Sequence, residues 1–285
     1  MTEYMSTYHQ ALADPNVFAI TWELVPGRGA IEDTQAEVIR SAEEAAKGGR
    51  VHALSLTDNP GGNPAISAEM LGAEITRMGI EPLVHFTCKD KARNQLEALL
   101  YGLERATVHN ILIMSGDYTY SGFGGRSKPV FDLDPTQLLS LIFAMNQGLQ
   151  IPTLRGSATL TPTHFTAGAV VSPFKTLEAE QMGQYYKLQK KLQAGAQFIV
   201  TQVGYDARKF HEALQMVSYL GFGQIPVVGN IYVLNKGAAR IMNRNGVPGC
   251  VVPDKLLAQV EEESTSKKAG QAASLERAAR MYAFM

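Results

Sequence analysis

Short apolar runs alternate along this chain with longer stretches whose apolar residues recur at helical spacing. The runs at 17–24 (VFAITWEL), 51–57 (VHALSLT), 82–88 (PLVHFTC), 110–115 (NILIMS), 166–172 (TAGAVVS), 197–203 (QFIVTQV) and 226–233 (PVVGNIYV) predict strands. Between the first two, residues 34–47 set Ala36, Ile39, Ala42, Ala45 and Ala46 at helical spacing and stop at Gly48-Gly49. Further helices are predicted over 65–78, 91–107, from Asp134-Pro135 onward, and over 178–193, 207–220, 236–242, 254–263 and 267–285. Pro135 suits a first helical position, where no amide partner is lost. Residues 118–132, rich in Gly, Ser and Tyr, predict a long loop after the fourth strand, and loops of that length are often functional.

Strands apolar on both faces and separated by helices imply a parallel sheet covered by helices. Seven βα units in a row predict an α/β fold, a (β/α)8 TIM-type barrel, with residues 1–285 as one domain. No eighth strand is evident. The barrel then lacks a C-terminal piece, stays open, or is completed by a partner subunit or a second copy.

Composition narrows the function. Hydrophobic residues are 45% of the 285, enough for a large core, and the net charge is -1. That charge gives no footprint for nucleic acid. Lys and Arg are dispersed, and no apolar stretch spans a membrane. The N-terminal residues Met1-Thr2-Glu3-Tyr4 show no signal-peptide pattern. The two cysteines, Cys88 and Cys250, form no CxxC pair, which predicts a cytoplasmic protein rather than a disulfide scaffold. No metal site is expected. His9, His52, His109, His164 and His211 form no constellation, and Glu261-Glu262-Glu263 reads as a solvated helix end.

In a barrel the chemistry sits at the C-terminal ends of the strands. That rule nominates Glu23, Thr57, His85, Cys88, Asp117 and Gln202. A carboxylate in the apolar run around Glu23 is costly unless paired or protonated, and a raised pKa suits a general acid. The competing reading is an ion-paired structural glutamate. Asp117 is either a ligand acceptor or a turn residue. His85 and Gln202 are either functional or hydrogen-bonded core groups. Gly122-Phe123-Gly124-Gly125 does not join a strand to a helix, so it is no dinucleotide fingerprint.

Taken together, these positions resemble the methylenetetrahydrofolate reductase family over about residues 21–229. Glu23 with Pro26 resembles the family's Phe-Glu-x-x-Pro-Pro opening. Ser55-Leu56-Thr57 is similar to Ser-Val-Thr, and Val84-His85-Phe86-Thr87-Cys88 to Pro-His-Leu-Thr-Cys. Gly116-Asp117 falls at Arg-Gly-Asp. Residues 191–202 (KLQAGAQFIVTQ) resemble Lys-x-x-Ala-Gly-Ala followed by a strand ending in Thr-Gln.

The resemblance implies a flavoprotein oxidoreductase of one-carbon metabolism that binds FAD and reduces 5,10-methylenetetrahydrofolate to 5-methyltetrahydrofolate. The electron donor stays open between NAD(P)H and ferredoxin, since no nicotinamide motif is present. Glu23 would be the general acid, with Asp117 beside it in catalysis and both binding folate together with Gln202. Thr57, His85, Ser115, Gly116, Asp117, Lys175 and Lys191 would line the cofactor site, with Lys175 and Lys191 toward the diphosphate, assisted by Arg126 or Lys128. The sequence departs from the pattern at Gly27, Ser115, Val171, Lys175 and Gln184. Two other readings stay open. One is a flavin-independent reductase using NAD(P)H directly. The other is a folate-binding subunit of a methyl-transfer or demethylation complex.

Overall fold

The computed structural model describes residues 7–118 and 127–285. The elements are α1 (Thr7–Ala13), β1 (Thr21–Leu24), α2 (Asp33–Gly48), β2 (Ala53–Leu56), a 3-10 turn (Pro60–Gly62), α3 (Ala68–Thr76), β3 (Glu81–Thr87), α4 (Arg93–Arg105) and β4 (Asn110–Met114). Then come α5 (Pro135–Asn146), β5 (Gln150–Thr153), β6 (Gly156–Thr159), β7 (Thr166–Val171), α6 (Glu178–Gln193), β8 (Phe198–Thr201) and α7 (Ala207–Tyr219). The chain ends with β9 (Val227–Val228), α8 (Lys236–Asn243), α9 (Asp254–Glu263) and α10 (Lys267–Phe284). The mostly parallel sheet has the order β1-β2-β3-β4-β7-β8-β9, and β5 and β6 pair apart from it as an antiparallel hairpin. This is an α/β fold of the TIM-barrel type with seven strands in the main sheet and no eighth among the described residues. Among those residues no helix is long and apolar enough to cross a membrane.

The chain divides into two compact units: Met1–Ala169 with Lys190–Phe198, and Val170–Gln189 with Ile199–Met285. In the first unit the strands sort their residues strictly by face, as the period of two requires. Leu54, Leu56, Val84, Phe86, Ile111 and Ile113 are fully buried and lie on one face in register. α3 packs on that face so closely that a Cβ added at Gly72 would sit 2.8 Å from a Val84 methyl. The other face carries Glu23, Ser55, Leu83, His85 and Leu112. Helix α4 contributes Leu96, Leu100 and Leu103 to the core at helical spacing. Helix α5 starts where the sequence predicts. Asp134 accepts from the Gln137 amide at 2.7 Å, and the Gln137 side chain accepts from the Asp134 amide at 2.9 Å, a reciprocal cap.

The sequence reading misses α1, a helix of only seven residues. It is held by tertiary contacts at the N-terminal ends of the strands. The Glu81 carboxylate accepts from the amides of Thr7 (2.7 Å) and Tyr8 (3.1 Å) and from the Asn110 amide group (2.9 Å). The Tyr8 ring is fully buried, edge-on to Phe198 at 5.6 Å. His9 Nδ1 lies 3.0 Å from Thr166 Oγ1.

In the second unit a smaller core forms from Val203, Leu234, Ala239, Met242, Cys250, Val252 and Val260. Ser274 donates to the Leu234 carbonyl at 2.7 Å, which ties α10 to this core. The acidic run in α9 is not simply solvated. Glu261 pairs with Arg240 at 2.6 Å, and Glu263 pairs with Arg277. The seventh predicted strand shrinks to the two residues of β9. It stands at the end of the strand order, so no outer ladder holds it.

Gly168 is a site of close packing against an aromatic ring in the first unit. A Cβ there would lie 2.2 Å from the Phe198 ring. Gly168→Ala is expected to destabilise the protein by about 1–3 kcal/mol through overpacking. Phe198→Leu in the same chain should recover part of that loss in urea denaturation.

Candidate active site

The C-terminal ends of β1, β2 and β3 carry a row of polar groups on the face away from α3. In register, Glu23 on β1 lies opposite Ser55 on β2. The Ser55 hydroxyl lies 2.7 Å from His85 Nε2 on β3. Burial pushes the His85 pKa down to about 4, although Asp58 opposes it. His85 is therefore neutral at pH 7 and meets the Ser55 hydroxyl without a buried charge. Thr57, just past β2, is buried, and its Oγ1 has no hydrogen-bond partner. Such orphans are uncommon and call for an explanation.

Glu23 combines two features. The residue is exposed by surface area, while the protein atoms around its carboxyl desolvate it enough to raise its pKa. The sequence reading expects an apolar surround; the structure gives a crowded but wetted one. β1 is the first strand in the order, and its neighbouring side chain Trp22 is 41% exposed.

Beside this row lies a buried ionic network that the sequence reading did not single out. Asp58 Oδ2 accepts from Thr87 Oγ1 (2.7 Å), from the Thr87 amide (3.1 Å) and from Lys91 Nζ (2.5 Å). Lys91 also lies 3.5 Å from Glu69. Burial by itself raises the Asp58 pKa, but the Lys91 charge and the Lys91 and Thr87 donors outweigh it, so the net shift is downward. For Lys91, burial pulls the pKa down and Asp58 and Glu69 more than compensate. Both members stay charged. Lys89, fully buried, donates to the Asn59 carbonyl and pairs with Asp90, each at 3.0 Å. The signal lay in Thr57-Asp58-Asn59 and Cys88-Lys89-Asp90-Lys91, but nothing local shows that those two runs meet.

This network explains Gly116-Asp117. Gly116 has φ +83°, and a Cβ there would sit 2.8 Å from Lys89 Cδ. Glycine is needed both for the left-handed backbone and for the space. Asp117 is half-buried, and its Oδ2 accepts from the Gly61 amide at 2.9 Å. It thus links the loop after β4 to the 3-10 turn after β2. Ser115 is exposed. Lys191 lies close enough to Cys88 for its charge to act on the thiol. Burial, then Asp134, push that thiol up to about 12, so Cys88 is unreactive.

Glu23, Thr57, His85, Ser115, Gly116, Asp117 and Lys191 all belong to the first unit, and Lys175 and Gln202 to the second. The Gln202 oxygen accepts from the Val203 amide at 2.8 Å, and its nitrogen donates to the Pro248 carbonyl at 3.4 Å. Lys175 is half-buried, and its backbone amide donates to Gln181 at 3.2 Å. Val171 is buried. Lys128 is exposed; Arg126 and Gly122-Phe123-Gly124-Gly125 lie outside the described residues.

Solved structures with this fold include two that span nearly the whole chain. An uncharacterized protein from Clostridium thermocellum, which binds two copies of 5-methyl-5,6,7,8-tetrahydrofolic acid, superposes with a TM-score of 0.63 at 11% identity, over 98% of this chain and 86% of that one. Tryptophan synthase from M. tuberculosis gives 0.51 at 15% identity, over 97% and 98%. At these identities the likeness is one of fold. No curated protein sequence matches the chain. The methylenetetrahydrofolate reductase family matches it from residue 7 to residue 284, almost end to end, and the chain therefore belongs to that family.

Proposed function

We propose that this protein is an oxidoreductase that reduces 5,10-methylenetetrahydrofolate to 5-methyltetrahydrofolate with hydride from a reduced flavin. The observation that carries this reading is the Glu23 carboxyl, raised in pKa by desolvation at a strand end and still reached by water. The family match and the folate bound by the C. thermocellum protein support the substrate class.

A protonated Glu23 donates its proton to a folate nitrogen as the five-membered ring opens, leaving an iminium whose methylene carbon accepts hydride. A carboxyl held toward its neutral form suits that transfer. Asp117, tethered to Gly61, offers its carboxylate to the pterin.

The residues fit a flavin. The unpartnered Thr57 hydroxyl supplies a donor at a buried position. Neutral His85 adds no charge beside it. Lys191 would neutralise a diphosphate, as in FAD. When bound, the flavin supplies the hydride and takes electrons from NAD(P)H.

Freshly purified protein should show flavin absorbance and bind 5-methyltetrahydrofolate in a titration. A colourless protein that passes hydride from NADH straight to folate would assign the chemistry to the nicotinamide instead.

Glu23→Gln should lower kcat by roughly 10²–10⁴-fold, the usual worth of a general acid, with folate affinity kept within a few-fold. In the wild type, kcat should fall as pH rises through the raised Glu23 pKa, and the variant should lose that limb. A carboxyl whose folded pKa is raised stabilises the fold at low pH and loses that contribution as pH rises through the folded value. The thermal stability gained by Glu23→Gln should therefore be larger at pH 8 than at pH 5.

Thr57→Val removes a buried donor without a partner. It should leave the ligand-free protein equally or more stable, because an unsatisfied group is gone. It should also weaken flavin binding by about tenfold, near one hydrogen bond's worth. Melting curves and flavin titration read the two effects separately.

A further inference from the structure

At the other end of the first unit's strands, three residues distant in sequence meet. Glu104 lies in the last turn of α4, His109 immediately precedes β4, and His164 lies two residues before β7. Glu104 Oε1 is 2.6 Å from His164 Nδ1, and Oε2 is 3.6 Å from His109 Nε2. The His164 amide donates to Oε2 at 3.0 Å. The two imidazole rings are 5.8 Å apart between centroids. One ligand atom from each side chain falls within 4.8 Å of the others.

We propose that Glu104, His109 and His164 bind a divalent transition-metal ion of the zinc class. The ligand chemistry favours such an ion. Two imidazoles and one carboxylate suit zinc and its neighbours, whereas magnesium and calcium prefer all-oxygen sets. The spacing is close to what is needed. With metal–ligand bonds near 2.0–2.2 Å, tetrahedral ligand atoms stand about 3.4 Å apart. The observed 2.6 and 3.6 Å straddle that value. The remaining closure falls to His164, whose side chain is 47% exposed and has room to turn. His109 is 8% exposed and supplies the anchored ligand.

There is also a way in. A cavity of about 570 Å³ is lined by His164 with Asn146 and Thr163. A second, of about 380 Å³, is lined by His109 with Glu81 and His52. Three protein ligands with one half-exposed leave a fourth position for water or an incoming donor. The ion would fasten the end of α4 to the segments entering β4 and β7. Because the folate residues stand at the opposite strand ends, this site stands or falls independently of the proposed reductase activity.

The test uses the full-length chain without a histidine tag, stripped with EDTA. Titration calorimetry with zinc chloride should give one equivalent per chain. Cobalt(II) should give the intense visible bands of a tetrahedral site. Saturating zinc should raise Tm by roughly 5 °C or more. His164→Ala, at a half-exposed position the fold tolerates, should abolish all three signals while leaving 5-methyltetrahydrofolate binding unchanged; Glu104→Gln should weaken zinc at least tenfold. Absence of saturable zinc binding, or binding undiminished in His164→Ala, would overturn the proposal. Either result would mean that Glu104 and the two histidines are an ion-paired cluster without a metal.

Discussion

The Lys91 ammonium is buried, and a buried charge must be matched. Asp58 and Glu69 supply the match, and Asp58 is in turn held by the amide and hydroxyl of Thr87. Leaving such a group unpaired costs on the order of 3–5 kcal/mol, so these side chains lock one another in place. The lock extends through Lys89 to Asn59 and Asp90, and from Asp117 to Gly61. In this way the loops after β2, β3 and β4 are tied together by polar groups, where apolar packing alone would let them slide. The candidate catalytic row of Glu23, Ser55, Thr57 and His85 stands on strands fixed by that network.

Parallel strands give the sheet two chemically distinct ends. In the first unit the N-terminal ends are closed by α1, with Tyr8 buried beside Phe198 and Glu81 gathering the α1 amides. The Glu81 carboxylate is satisfied there by amides of the protein, while the buried Tyr8 hydroxyl is without a hydrogen-bond partner. At the C-terminal ends the Thr57 hydroxyl is left without a partner, and the Glu23 carboxyl is crowded yet wet. Their place agrees with the general rule that chemistry sits at the C-terminal ends of barrel strands.

Much of this was legible in the residues. The apolar runs located the strands that carry Ser55 and His85, and the helical spacing of α6 and α9 matched their observed bounds. Other features were not legible. Helix α1 carries a weak local pattern and is held by contacts distant in sequence, and the β5–β6 hairpin is built of short, mostly polar and exposed strands that show no apolar run. Nothing local singles out Lys89 and Lys91, because burial of a charge depends on partners some thirty residues away. His109 and His164 showed no constellation in the chain, since the carboxylate that joins them arrives on a different element.

The sequence by itself determined the alternation of strand and helix and the strand-end positions where chemistry belongs. These follow from local backbone geometry and from the spacing of apolar residues. Tertiary structure alone decided which polar groups are paired and which are left open. It matched Lys91 to Asp58, set Gly116 against Lys89, neutralised His85 by burial, and brought Glu104 to two histidines. The reason is that charge state and ligation depend on dielectric and on distances of a few ångströms between groups far apart along the chain. No local pattern encodes those distances.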